Sequence, residues 1–91
     1  MATNIQMGIA YAIGKIDETA HKLVKIDKFV GSQYSKYTLT MHEGMHGNRT
    51  YVLYADLGEE KMKKLVEICD GLKITQIIHI LEEVIAYDLN K

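Results

Sequence analysis

The strongest constraint in this chain is a helical stripe near its N-terminal end. Ile5, Ile9, Ile13, Ile16, Ala20 and Leu23 recur at spacings of four, four, three, four and three, close to the 3.5-residue repeat of an amphipathic helix. Such a stripe obliges the rest of the chain, or a second chain, to cover it. Glu18 and Lys22 stand four apart in the order that favours a solvent-facing pair. Gly8 and Gly14 weaken the helix by about 1 kcal/mol each relative to alanine. Small residues let another backbone come close, and Gly8/Ala12 and Ala10/Gly14 form two pairs four apart. They suit tight packing within the domain or a seam between copies.

Carried on, the same register gives a helix from Thr3 to Val30, stopped by Gly31-Ser32. That helix is roughly 40 Å long, against a radius of gyration of about 12 Å for a compact chain of this size. It overhangs its own domain and wants a partner. The competing reading breaks near Thr19 and makes Lys22 to Val30 a strand. The register favours the long helix.

Tyr34 to Met41 alternates, with Tyr37, Leu39 and Met41 on one face and Lys36, Thr38 and Thr40 on the other. Thr50 to Asp56 holds Tyr51, Val52, Leu53 and Tyr54, a second run of strand-forming residues. Gly47-Asn48 between them suits a two-residue turn with glycine first. Asp56-Leu57-Gly58-Glu59 then reads as a capped helix start, followed by a buried stripe of Met62, Leu65, Val66, Cys69 and Leu72 that stops at Gly71. Cys69 on that stripe is a small core residue. Thr75 caps a final helix to about Tyr87. Its Ile77, Ile78, Ile80, Leu81, Val84 and Ile85 cover more than one face, so it must be sheltered on two sides.

The expected fold is therefore α+β in a single domain, residues 1–91. It comprises an N-terminal amphipathic helix, a central antiparallel β-hairpin (three strands if residues 22–30 are extended) and two C-terminal helices. A two-stranded ribbon is marginal on its own, and the two terminal helices carry more apolar surface than it can shelter. A homo-oligomer is thus expected, most simply a two-fold dimer. Its interface would draw on Ile5, Ile9, Ile13, Ile16, Ile77, Leu81 and Ile85.

With 47% apolar and 25% charged residues in 91, the composition is globular and excludes a disordered tail. The weakly polar stretch from Ile5 to Ile16 falls short of a membrane span, and the first basic residue is Lys15, so no secretory lead precedes it. A cytoplasmic protein without membrane contact is expected, and the glycosylation pattern Asn48-Arg49-Thr50 is idle there. The formal net charge is −1. Three or four lysines on the first helix promise little phosphate affinity, so nucleic acid is not an expected partner.

His42-Glu43-Gly44-Met45-His46 fits the H-E-x-x-H pattern of zinc metalloproteases. There, a helix sets both histidines on one metal and the glutamate activates its water. The flanks here read as strands, on which residues four apart are separated by about 13 Å. Third-ligand candidates are Glu59, Glu60 and His79. The loop is better read as a polar hairpin tip in which His42, Glu43, His46, Asn48 and Arg49 form a binding surface. No cofactor is expected, zinc on His42 and His46 being the alternative. Three functions follow. The leading one is a small non-enzymatic binding protein of regulator or inhibitor type, a homo-oligomer that occupies a protein partner's surface. The others are a minimal zinc hydrolase and a module that holds a small ligand between subunits.

Overall fold

Thr3 starts the first helix. Its Oγ1 accepts the Gln6 backbone N–H at 3.1 Å while Gln6 Oε1 accepts the Thr3 N–H at 3.0 Å, a reciprocal cap that satisfies two donors a helix start leaves unpaired. The computed structural model describes residues 3–19, 23–44, 46–69 and 71–91. Its elements are α1 (Asn4–Thr19), β1 (Leu23–Lys25), a 3-10 turn (Ser32–Tyr34), β2 (Tyr37–Glu43), β3 (Arg49–Gly58), β4 (Lys61–Ile68) and α2 (Ile74–Leu89).

The strands form one antiparallel sheet in the order β1-β2-β3-β4. Alternation sorts its two faces. Val24, Tyr37, Leu39, Met41, Tyr51, Leu53, Ala55, Val66 and Ile68 face the helices and build one core with Ile9, Ile13, Ile16, Ile77, Leu81 and Ile85. Leu23, Lys25, Thr38, Thr40, His42, Val52, Tyr54, Lys64 and Glu67 occupy the other face, away from α1 and α2, where Thr38, Thr40 and Val52 are nonetheless buried. Gly8 sits where the chain after β1 crosses α1. A Cβ there would lie 2.7 Å from the Lys28 carbonyl oxygen, so the close approach requires glycine.

Three expectations about the fold are corrected. The first helix stops at Thr19, and Leu23–Lys25 pairs with Thr38–Thr40 of β2. Stopping there lets Val24 and Ile26 enter the core, and Ile26 is fully buried. Ala20 of the stripe lies outside the described residues, and so does Lys22, the expected partner of Glu18.

Second, the expected hairpin is not alone, because β2 and β3 are the middle pair of four strands. Their connection runs from Gly44 to Asn48 and closes with the pair Glu43↔Arg49, so it is longer than a two-residue turn.

Third, the described residues hold one C-terminal helix. The segment read as a second one is β4, joined to β3 by a tight turn at Glu59-Glu60. The register slips between Leu53 and Tyr54, so that Leu65 is an extra residue in β4. This bulge spoils the two-residue alternation and leaves apolar residues at 62, 65, 66 and 69, which imitate a helix. Asp56 caps no helix: its Oδ1 accepts the Gly58 N–H at 2.8 Å. Cys69 follows the end of β4 and is exposed, so it is no core residue. The final helix starts at Ile74, one residue before Thr75, with Gln76 Oε1 accepting the Lys73 N–H at 2.9 Å.

Candidate functional site

The hairpin tip draws its shape from two backbone bonds, Gly44 N–H to Asn48 O at 2.7 Å and Gly47 N–H to Gly44 O at 3.1 Å. Gly47 has a φ of 78°, where glycine alone is unstrained. Neighbouring strand residues point to opposite faces, and this splits the group. His42 turns to the open face, with its Nε2 3.5 Å from Thr40 Oγ1. Glu43 turns to the helix side and meets Arg49 Nε at 3.8 Å. His46 and Asn48 are exposed on the turn. Met45 lies outside the described residues.

Arg49 is the member of this group with a partner far away in sequence. Its Nη1 donates to Asp17 Oδ1 on α1 at 2.9 Å, and the Tyr51 hydroxyl donates to the same oxygen at 3.2 Å. One carboxylate thus ties the end of α1 to the start of β3. Burial, then the Asp17 charge, raise the Tyr51 hydroxyl above its ordinary pKa. The Tyr51 hydroxyl, then Asp17, hold the Arg49 guanidinium further towards its charged form. Asp17, Arg49 and Tyr51 line a cavity of about 180 Å³ with Cys69, Leu72, Ile74 and Ile77. The cluster joins acceptor and donors to each other and so serves as a structural clamp.

The alternative zinc constellation does not assemble among the described residues. Glu59 and Glu60 lie at the far end of β3, whose ten residues span about 30 Å. His79 lies on α2, its Nε2 3.2 Å from Glu83 Oε1. Among the described residues, no three His, Cys, Asp or Glu side chains gather to hold a metal ion, and no buried side-chain nitrogen or oxygen lacks a hydrogen-bond partner.

A second surface is formed by the helices. Glu82 of α2 accepts from Thr3 Oγ1 at 2.8 Å and from Gln6 Nε2 at 3.0 Å, pinning α2 to the start of α1. Beside this bridge, a groove of about 330 Å³ runs between the helices, lined by Gln6, Met7, Ala10, Thr75, Ile78 and His79. His79 also borders two neighbouring depressions. Of the residues expected at a seam between copies, Ile9, Ile13, Ile16, Ile77, Leu81 and Ile85 are buried inside this chain. Ile5 is half-buried. The sheet supplies the cover that the sequence reading assigned to a second copy.

No family model, curated protein or solved structure matches the chain. The functional reading therefore rests on its own residues. Sequence reasoning picked out Arg49 but missed Asp17 and Tyr51, because nothing in their spacing marks a contact across 32 residues. It could have found Met7 and Ala10, which fall off the buried stripe on the exposed side of the same helix.

Proposed function

We propose that this is a small non-enzymatic binding protein, a homo-oligomer that acts by covering the surface of a partner protein. The observation that carries this reading is the groove between α1 and α2. Met7, Ala10 and Ile78 give it an apolar floor, and the Glu82 bridge holds its two walls at a fixed separation. A preformed apolar trough between helices suits an amphipathic helix, whose side chains at i, i+3, i+4 and i+7 fill it. Glu82 and Glu83 line the neighbouring depression on α2, which shares His79 with the groove, and this favours a partner helix with lysine or arginine along its flank.

The test is a pull-down from native lysate at physiological salt with the chain and its Ala10→Arg variant. The substitution fills the groove from an exposed helix position, so the fold should survive, as circular dichroism would verify. The reading expects a protein recovered by the native chain and lost with the variant. Recovery of nothing, or of the same proteins by both, overturns it.

A further inference from the structure

We propose that two copies of this chain associate end to end, with the acidic β3–β4 tip of each seated on the Tyr11–Phe29 patch of the other. This rests on the homo-oligomer of the reading above and not on its partner groove.

The patch is held at a conformational cost. Phe29 has a φ of 72°, left-handed backbone that a bulky side chain rarely adopts, and the residue is 53% exposed. Two backbone bonds fix the turn, from the Val30 and Gly31 N–H groups to Asp27 O at 3.4 and 3.0 Å. Gly8 lets the same turn rest directly on α1. The Phe29 ring meets Tyr11 edge to face, with centroids 6.0 Å apart. The ammonium groups of Lys28 and Lys15 stand 5.7 and 5.8 Å from the Tyr11 ring centroid. The result is an exposed aromatic pair flanked by two cations, the chemistry of an interface anchor.

The tip is its complement. Asp56 N–H still donates to Lys36 O beside β2, but the β3–β4 ribbon continues to the pair Gly58↔Lys61. It therefore projects past β2 by about two residues, on the order of 7 Å. Asp56, Glu59 and Glu60 outnumber Lys61 there. Leu57 is 62% exposed, and Met62 is also exposed. Glu59 and Glu60 have φ values of 54° and 62°, in a turn that asparagine and glycine fill without strain. Tip and patch thus offer opposite charge and matching apolar side chains, and each keeps residues that its backbone disfavours.

Their placement permits closure. Ile26 N–H donates to Tyr37 O, which puts the turn carrying Phe29 at the same end of the sheet as the β3–β4 tip. Counted across the sheet, β1 and the β3–β4 ribbon are two to three strand spacings apart, about 10–15 Å. A two-fold axis between them puts each tip on the other copy's patch, a closed pair with no free half-site.

The experiment is sedimentation equilibrium of the whole chain at low salt, with Lys28→Glu, Glu59→Lys/Glu60→Lys and Leu57→Asp variants checked for folding by circular dichroism. The native chain should have twice the single-chain mass. Each variant alone should associate about tenfold more weakly or worse. An equimolar mixture of the Lys28→Glu and Glu59→Lys/Glu60→Lys chains should regain the dimer, since both contacts are then complementary. A monomeric native chain at about 1 mM, variants as dimeric as the native chain, or a mixture that stays monomeric overturns the proposal. Loss of the dimer with unchanged capture in the pull-down separates this contact from the partner groove.

Discussion

The hydroxyl of Tyr37, a residue fully buried in β2, donates to Asp88 Oδ2 in the last turn of α2 at 2.6 Å. Lys36 Nζ stands 3.6 Å from the same oxygen. This contact locks α2 to the sheet at one end, as Asp17 locks α1 to β3 at the other.

Tyr37→Phe should cost about 1–2 kcal/mol in urea unfolding, because Asp88 loses its shortest hydrogen bond. The pH response follows from the same pair. The Tyr37 hydrogen bond first, then Lys36 and Lys91, hold the Asp88 carboxyl below its ordinary value against the opposing effect of burial. The resulting stability is present above the unfolded value of about 3.9 and lost as pH falls through the lower folded one. Tyr37 behaves oppositely: burial, then Asp88, raise its pKa. Its contribution is full below about pH 10 and lost above. The Phe variant should therefore lose less stability than the native chain at both extremes. Parallel pH profiles for the two proteins would contradict this.

Gly8 and Gly14 lie on one helix and should respond with opposite signs. At Gly14 an added Cβ meets nothing within 4 Å, so Gly14→Ala should stabilise by about 0.5–1 kcal/mol. At Gly8 the Lys28 carbonyl blocks the same methyl, and Gly8→Ala should destabilise by about 1–3 kcal/mol despite its helix propensity. Denaturant midpoints decide the matter.

Replacing Glu59-Glu60 by Asn-Gly should relieve two left-handed residues and raise stability by about 1–2 kcal/mol. Thermal unfolding at low protein concentration measures this, and the same variant should self-associate more weakly.

Asp17→Ala should cost about 1–2 kcal/mol, since Arg49 and Tyr51 lose their shared acceptor. The Tyr51 hydroxyl should then titrate at lower pH than in the native chain, because both raising effects of Asp17 are gone while the lowering effect of Arg49 stays. Ultraviolet titration against a Tyr51→Phe control resolves that one group.

What the sequence made legible was local. The stripe through Ile16, the alternation up to Met41 and the run of strand-forming residues from Thr50 each show within a few residues, and each forms as its pattern implies. The end of α1 was ambiguous because Ala20 and Leu23 continue its spacing by coincidence. β4 was misread because one inserted residue, Leu65, shifts the apolar positions after it. At the candidate sites, Arg49 stood out by its type, but Asp17 is its partner only through the fold. Phe29 gave no signal at all: an aromatic residue after a lysine has no period, and its backbone conformation is set by where the turn crosses Gly8.

The bulge at Leu65 has a consequence for the sheet's rim. β1 and β4 are the outermost strands, and an unpaired outer strand can template growth into a fibril. β1 is three residues long, too short to recruit another chain efficiently. β4 has eight, but the inserted residue kinks its rail, and Lys61, Lys63 and Lys64 crowd the stretch before the kink. Straightening β4 by deleting Leu65 would remove one of its two safeguards against stacking into aggregates.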